Sequence, residues 1–291
     1  MAIYNLGSIN ADLFYQVPHL PGPGETLAAK GMHKGLGGKG ANMSVAAARA
    51  AALVSHIGAV GSDGTWARQR LLEYGVDTRH IAVLAHSPTG HAIINVDQEG
   101  ENAIVLLPGA NHEITNNAIG KALSESARGD TLLIQNETNN QAYAAQMGRD
   151  LAMFVAYAAA PFDSDAVQAV LPMLDFLILN EVEAEQLTAA TGLSPQDLPV
   201  ADIVITLGAK GCRWINTQKR TQQDFPAFLV DVVDTTGAGD TFTGYLLAGL
   251  DRGMPMEQAI LLAMRAGALM VMRQGTADVI PDLKEVQSAQ F

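Results

Sequence analysis

The sequence is short of several features that mark particular classes of protein. Only one of its 291 residues, Cys212, is a cysteine, so no disulfide can form within the chain and a reducing compartment is expected. No uncharged apolar run approaches the ~18 residues of a membrane span, and the N-terminus lacks the basic and apolar regions of a signal peptide. We therefore expect a cytoplasmic globular protein without membrane contact, in which Cys212 is a small buried side chain.

Positive charge is scarce as well. The chain carries 18 Lys and Arg against 30 Asp and Glu, and its formal net charge is −12. Nucleic-acid binding needs a basic footprint, and no Lys/Arg cluster occurs, so we expect no nucleic-acid partner. A polyphosphate ligand would have to be held by backbone amides, a few placed cations or a metal ion. The spacing of the histidines argues against a protein-built zinc site, and the lack of G-x-S-x-G argues against a hydrolase elbow.

Short β-branched runs alternate with longer helical stretches through most of the chain. This alternation predicts an α/β fold in which a mostly parallel sheet has helices on both faces. We place strands at residues 2–6, 54–60, 131–135, 152–157, 176–179, 203–207 and 228–233. Helices are predicted at residues 41–53, 140–149, 181–191, 240–252 and 256–272.

Two segments interrupt this alternation. Residues 12–34 are extended and contain three prolines, and residues 91–107 hold two apolar runs on either side of Gln98-Glu99-Gly100, which is a hairpin signal. Together they could build a small antiparallel sheet that projects from the main body, although an ordinary surface hairpin would give the same pattern. No internal repeat or low-complexity linker occurs, so residues 1–291 are predicted to form a single domain.

Polar side chains gather after the predicted strands. Ligands of open α/β sheets bind beyond the carboxyl ends of the strands. The residues found there are Asn10, Asp12, Asn136, Glu137, Asn180, Glu181, Glu183, Gly208 and the run from Asp234 to Asp240. This pattern predicts a site for a polar ligand at one edge of the sheet.

The run that ends at Asp240 carries the clearest chemistry. Gly237-Ala238-Gly239 provides a bare backbone just before an amphipathic helix, and unpaired N–H groups together with the helix dipole make such a turn an anion site. Asp240 then has two interpretations. It is the N-cap of the helix, where Asp stabilises by ~1 kcal/mol, or it is a general base beside a phosphoryl group held by the same amides. The local sequence favours neither.

A second glycine run, at residues 35–42, matches G-x-G-x-x-G and raises a dehydrogenase as one hypothesis. The sequence around this run argues against a dinucleotide site, because the stretch before it is not a clear core strand. In addition, no acidic residue sits after a following strand in the expected way. It is not a phosphate loop either, since Gly40 rather than Ser or Thr follows Lys39. What remains is a glycine turn that delivers Lys39 and Asn42 to the start of a helix, or a flexible loop with a solvated lysine.

Six segments, in order and spread over nearly the whole chain, resemble the ribokinase family of carbohydrate kinases (the phosphofructokinase B type). They are G-S-I-N-A-D at 7–12, G-G-K-G-A-N at 37–42, G-E-N at 100–102, N-E-V-E at 180–183, T-L-G at 206–208 and D-T-T-G-A-G-D-T at 234–241. The last segment is the family's signature. The resemblance therefore favours Asp240 as a general base rather than a cap.

The resemblance implies a three-layer α/β/α core, with a β-sheet lid at about residues 12–34 and 91–107 and a homodimer formed through that lid. It also implies roles by position. Sugar hydroxyls would be bound by Asn10, Asp12, Gly38, Lys39, Asn42, Glu137 and Asp240. The anion hole would be formed by Gly237, Ala238 and Gly239. The nucleotide would lie against Asn180, Thr206, Gly208, Gly211 and Gly239. Glu183 would manage Mg²⁺ through water, and a K⁺ ion would be held by Asp234, Thr236 and Gly275.

The implied reaction is the transfer of a phosphoryl group from ATP to D-ribose, which gives ADP and D-ribose 5-phosphate. Family members also phosphorylate other sugars and nucleosides with much of the same machinery. A nucleoside kinase would need an aromatic-lined slot for the base, which fits poorly with an aromatic content of 5%. The third alternative is a catalytically silent sugar-binding relative, because a fold alone does not establish activity.

Overall fold

Two β-sheets are present, and the computed structural model describes all residues from 1 to 291. Their strands are, in chain order, β1 (Ala2–Leu6), β2 (Asn10–Gln16), β3 (Gly31–Gly37), β4 (Leu53–Gly61), β5 (Ile81–Leu84), β6 (Gly90–Val96), β7 (Asn102–Leu107), β8 (Thr131–Gln135), β9 (Phe154–Ala158), β10 (Phe176–Asn180), β11 (Asp202–Thr206), β12 (Cys212–Asn216) and β13 (Thr221–Phe225).

The larger sheet contains nine strands in the order β13-β12-β11-β10-β9-β8-β1-β4-β5. All neighbours from β11 to β5 are parallel, and only β12 and β13 run antiparallel at one edge. The prediction of a mostly parallel sheet is therefore confirmed. The carboxyl ends of β1, β8, β10 and β11 open at the same edge, which brings the polar residues that follow them together.

Helices cover both faces of this sheet. They are α1 (Lys39–Arg49), α2 (Thr65–Glu73), α3 (Asn116–Leu123), α4 (Gln141–Asp150), α5 (Ser164–Val170), α6 (Glu181–Thr191), α7 (Ala238–Asp251), α8 (Met256–Val271) and α9 (Leu283–Ser288). One hydrophobic core lies between the sheet and the helices α1, α2, α7, α8 and α9, and a second lies between the sheet and α3 to α6. In β1, Ile3 belongs to the first core, and Tyr4 and Leu6 belong to the second. The three-layer core is therefore also confirmed.

The smaller sheet, which we call the lid, has the order β3-β2-β6-β7. Only residues 7–9 separate β1 of the core from β2 of the lid. Along its whole length β2 pairs with β3 on one side and with β6 on the other. Residues 91–107 are thus part of a four-stranded sheet rather than an isolated surface hairpin.

The predicted strand at residues 228–233 is wrong. This segment has no strand partner, and Leu229 is 96% exposed. The edge of the sheet is taken instead by the hairpin β12–β13, which ends at Phe225 and is followed by Pro226. Our prediction missed β13 because its sequence, T-Q-Q-D-F, is polar and four of its five residues are exposed.

Cys212 is 1% exposed, and burial raises the pKa of its thiol to about 12, so it is an inert core side chain as predicted. None of the helices combines the length and the apolar character needed to cross a lipid bilayer.

Candidate active site

The turn before α7 carries unpaired backbone donors. Gly237 is the N-cap of the helix and has a φ of +73°, a left-handed conformation that favours glycine. The N–H of Ala238 donates to the Thr235 carbonyl, whereas the N–H groups of Gly237, Gly239 and Asp240 have no acceptor within the protein. Three donors at the positive end of a 14-residue helix form a binding place for an anion.

Asp240 does not cap this helix. It is the third residue of α7, and its Oδ2 atom accepts a hydrogen bond from Asn42 Nδ2 at 2.8 Å instead of one from the backbone. Burial raises the pKa of the Asp240 carboxyl, while the Lys39 ammonium and the Asn42 hydrogen bond oppose the rise. A buried carboxylate that a fixed amide orients is suited to removing a proton.

Lys39 and Glu137 meet at the start of α1. Glu137 Oε2 accepts hydrogen bonds from the Lys39 backbone N–H at 2.9 Å and from Ser8 Oγ at 2.5 Å. The negative charge of Asp240 raises the pKa of the Lys39 ammonium, so Lys39 stays protonated. The predicted glycine turn thus delivers Lys39 and Asn42 to the site, and Lys39 is half-buried rather than solvated.

A buried hydrogen-bond network supports the elements around Glu137. His56 Nε2 lies 3.0 Å from the Gly7 carbonyl, which can only accept, so Nε2 carries the proton and Nδ1 accepts from Ser44 Oγ at 2.8 Å. Asn5 Nδ2 donates both to Ser44 Oγ and to the Gly40 carbonyl. Burial lowers the pKa of His56 to about 4, so the ring is neutral, as this arrangement requires. The network ties the end of β1 to the start of α1.

The lid contributes two side chains near this cluster. Asn10 and Asp12 lie on β2 and are 4% and 7% exposed. Asp12 packs against Gly37 of the neighbouring strand, where any larger residue would overlap its carboxylate. Burial, together with the charges of Glu137 and Asp240, raises the pKa of Asp12 to about 7.

Two cavities open at the carboxyl edge of the core sheet. The smaller, of about 220 Å³, is lined by Lys39, Asn180, Glu183, Gly237, Gly239, Asp240 and Thr243 among others. The larger, of about 390 Å³, is mainly apolar and includes Gly208, Gly211, Phe228, Phe242, Met264 and Val271. Thr206, Thr235 and Gly239 line both cavities. A ligand with an apolar head and an anionic tail could therefore extend from the larger cavity to the anion site.

Asn180 and Glu183 form a capping box at the start of α6. Asn180 Oδ1 accepts from the Glu183 N–H, and Glu183 Oε2 accepts from the Asn180 N–H, both at 2.8 Å. Asn180 Nδ2 and Glu183 Oε1 make no hydrogen bond within the protein. Glu183 and Asp240 are the carboxylates that line the smaller cavity, and no three His, Cys, Asp or Glu side chains come together as a metal cage. Two carboxylates with space for water fit Mg²⁺, which keeps part of its hydration shell.

Asp234 connects the turn before α7 to the C-terminal part of the chain. Its Oδ1 accepts from the Thr236 N–H at 2.9 Å, and its Oδ2 accepts from the Gly275 N–H at 3.2 Å. In the same region Thr276 Oγ1 donates to the Leu36 carbonyl of β3 at 2.7 Å. The three residues predicted to hold K⁺ are thus neighbours, and their oxygens are the hard donors that such an ion takes.

A protein-family model covers most of the chain. Residues 3–283 match the model of the pfkB family of carbohydrate kinases. The chain belongs to this family.

Relatives of this pfkB-family kinase align with nearly all of the chain. A ribokinase of Haemophilus influenzae is 36% identical and a deoxyribokinase of Salmonella typhi is 29% identical, and the alignments cover 96% and 98% of this chain and 95% and 97% of those proteins. The structure of Arabidopsis thaliana ribokinase complexed with ribose and ATP aligns with a TM-score of 0.86 at 26% identity, covering 99% of this chain and 98% of that one. The dehydrogenase hypothesis is overturned, and its glycine run lies across the lid strand β3 and helix α1.

Our sequence analysis of this pfkB-family kinase missed several residues at the site. Ser8 lay within a family segment but was given no role, although it holds Glu137. Asn111, which contacts Asn10, lies in a short 3₁₀ turn whose sequence shows no periodic pattern. The apolar lining of the larger cavity, including Phe228 and Met264, looked like ordinary core sequence.

Proposed function

We propose that this kinase phosphorylates the 5-hydroxyl of D-ribose with ATP. In this proposal Asn10, Asp12, Gly38, Lys39, Asn42 and Glu137 hold the sugar, and Asp240 faces the hydroxyl that reacts. The adenosine part of ATP occupies the larger cavity, against Thr206, Gly208 and Gly211, and the phosphates extend past Asn180 to the turn before α7.

The observation that carries the proposal is the position of Asp240. Its carboxylate is held by Asn42 within one helical turn of the three unpaired N–H groups. A base and an anion site so close together can serve both partners of a phosphoryl transfer. A silent sugar-binding relative would not need a buried carboxylate beside unpaired amides, because each is costly to keep.

Each group then has a defined step. Asp240 takes the proton of the sugar hydroxyl while that oxygen forms a bond to the γ-phosphorus, and the bond between this phosphorus and the bridging oxygen of ADP breaks. The N–H groups of Gly237, Gly239 and Asp240 hold the charge on the transferred phosphoryl group. Lys39 keeps the cluster of carboxylates from repelling the incoming phosphates. The products are ADP and the sugar phosphate.

Two ions are part of the proposal. Glu183, through water, would hold the Mg²⁺ that accompanies ATP, and this ion would neutralise phosphate charge. Asp234, Thr236 and Gly275 would hold K⁺. Because Asp234 already anchors the turn before α7, a cation beside it would order the backbone of the anion hole.

We also infer that the kinase is a homodimer formed through the lid. All six residues of the edge strand β7 are exposed, including the apolar run from Ile104 to Leu107. An apolar edge strand that is exposed on both faces is an aggregation hazard unless another surface covers it. A second copy of the lid offers a matching surface through twofold symmetry.

The substitution Asp240→Asn tests the proposed reaction. It keeps the shape of the side chain but removes the base, so kcat for ribose should fall by about 10²- to 10⁴-fold. Ribose binding, measured by calorimetry, should change far less. The conservative control Glu185→Gln alters an exposed carboxylate on α6 and should leave kcat unchanged. Turnover near the original rate in Asp240→Asn would refute the assignment.

The same assay decides between substrates. ADP release is measured with Mg-ATP and KCl over ribose, 2-deoxyribose, other pentoses, hexoses and nucleosides. The deoxyribokinase relative makes 2-deoxyribose the strongest competitor. A higher kcat/KM for another compound of the panel would keep the mechanism and replace ribose as the substrate.

A further inference from the structure

A buried asparagine outside the predicted site contacts the sugar-binding strand. Asn111 is 1% exposed and lies in a short 3₁₀ turn, Gly109–His112, that follows β7. Its Oδ1 atom accepts from the Ile9 N–H at 2.9 Å, and its Nδ2 atom donates to the Ile9 carbonyl at 3.3 Å. An N–H can only donate and a carbonyl can only accept, so these two bonds fix the orientation of the Asn111 amide without ambiguity.

The fixed amide of Asn111 dictates the orientation of its neighbour Asn10. The second hydrogen of Asn111 Nδ2 is directed at Asn10, at a distance of 2.8 Å, and it needs an acceptor. Only Oδ1 of Asn10 can accept, so Asn10 Nδ2 must face the other way. Gly90 leaves the space for this contact, because any side chain at that position would overlap both amides.

Asn10 Nδ2 makes no hydrogen bond within the protein, and solvent can still reach this atom. We propose that Asn111 is a positioning residue, which makes Asn10 present a hydrogen-bond donor rather than an acceptor to the sugar. The inference rests on the proposed function, since it assumes that a sugar occupies the space beside Asn10. It deepens that function: the sugar atom opposite Asn10 must be an oxygen that accepts, and a C–H at that position is disfavoured.

The test measures KM and kcat for each variant with ribose and with three deoxyribose analogues. Asn111→Asp keeps the acceptor for the Ile9 N–H but cannot donate, so the Asn10 amide turns and shows its oxygen to the sugar. KM for ribose should rise about tenfold or more, with KM for ATP and kcat changed less than about threefold. With 2-deoxyribose, 3-deoxyribose and 1-deoxyribose, one analogue should lose most of this effect, because it lacks the hydroxyl that pairs with Asn10.

Asn10→Asp provides a second route, because a buried carboxylate at position 111 could unfold the protein. This variant still accepts from Asn111 but offers the sugar no donor, so the same analogue should be the insensitive one. Asn139→Asp is the matched control, since Asn139 bonds the N–H and carbonyl of Ile114 as Asn111 bonds those of Ile9. It should lower stability without changing KM for ribose.

Two results would overturn the inference: an unchanged KM for ribose in the folded variants, or an equal loss with ribose and all three analogues. Either could occur while the unchanged protein turns over ribose normally, so the proposed function would survive. If the unchanged protein turns over no substrate, the proposed function is refuted before the variants are compared, and this inference falls with it. That outcome is therefore distinguishable from the two results above.

Discussion

Asn42 Nδ2 donates a 2.8 Å hydrogen bond to Oδ2 of Asp240, and this bond joins two helices across 198 residues of sequence. It is the only hydrogen bond that the Asp240 side chain receives from the protein. The bond fixes one carboxylate oxygen and leaves the other directed at the reacting hydroxyl in the proposed mechanism. In that mechanism the start of α1 would therefore support the catalytic base as well as bind the sugar.

The substitution Asn42→Ala should lower kcat by about tenfold or more, because a hydrogen bond to a charged group contributes about 1.5–3 kcal/mol. The bond from Asn42 lowers the pKa of Asp240, so its loss should raise that pKa further. The acidic limb of the plot of kcat against pH should then move to higher pH.

The matched control for Asn42→Ala is Asn216→Ala. Asn216 donates a bond of the same length, 2.8 Å, to Asp202 at the opposite end of the sheet. Its loss should lower the melting temperature but leave the pH profile in place. An acidic limb that shifts equally in both variants, or in neither, would contradict the role given to Asn42.

Asp12 should make the stability of the free enzyme depend on pH. Its pKa is about 7 in the folded protein, against an unperturbed value of 3.8. Between these two values the folded state binds the extra proton, so the free energy of unfolding should fall as pH rises from about 4 to 7. Asp12→Asn should remove this part of the slope and, by relieving the burial of a charge and its repulsion by Glu137 and Asp240, raise Tm at pH 8 by about 2–4 °C for each kcal/mol regained.

The prediction is checked by calorimetric melting curves of the enzyme without ligands from pH 4 to 8. The substitution Asp231→Asn, on an exposed loop, is the control and should leave the slope as it is. A slope that is identical in Asp12→Asn and in the unchanged protein would show that Asp12 is ionised throughout this range. Ribose binding should be weakened in Asp12→Asn at every pH.

Most of the core could be predicted from the sequence, because its strands are β-branched runs and its helices are amphipathic. The role of Asp240 could not be decided locally, since a cap and a base have the same sequence context. The structure excludes the cap, because the N-cap is Gly237, three residues earlier, and Asp240 bonds to a distant helix. Only the family signature indicated this in advance. The assignment of Asp240 as the base stays a proposal.

The contacts of Ser8 and Asn111 could not be predicted for a different reason. Ser8 reaches Glu137 across 129 residues, and Asn111 reaches Ile9 across 102 residues. Neither has a local pattern that reveals its partner. The strand β13 was missed because an exposed edge strand needs no apolar face. Long-range polar pairs and exposed edge strands are thus the features that could not be predicted from this sequence.

The proposed K⁺ loop predicts a response to monovalent cations. Replacing NaCl with KCl at constant ionic strength should raise kcat, because the larger ion suits a site of several oxygens around Asp234. Asp234→Asn should abolish the difference between the two salts and lower kcat in both. An equal salt response in Asp234→Asn and in the unchanged enzyme would exclude this loop as the ion site.

The lid dimer predicts a change of mass on mutation. Size-exclusion chromatography with light scattering should give the unchanged protein a mass of twice its chain mass of 30.7 kDa. The double substitution Val105→Lys and Leu106→Lys places one charge on each face of β7, and should yield monomers. Leu72→Lys, at an exposed apolar position on α2, is the control and should stay dimeric. A monomeric unchanged protein would refute the dimer.

Of residues 271–276, only Val271 lines either of the two cavities at the sheet edge. The segment nevertheless connects the lid with the residues that precede α7. The Val271 carbonyl accepts from the N–H groups of Val233 and Asp234, Gly275 donates to Asp234, and Thr276 donates to the Leu36 carbonyl of the lid. In a mutational map of kinase activity, Gly275, whose φ is +127°, and Thr276 should be as sensitive to substitution as the turn before α7. Such positions would be mistaken for substrate contacts, although their hydrogen bonds join the lid to the segment before α7.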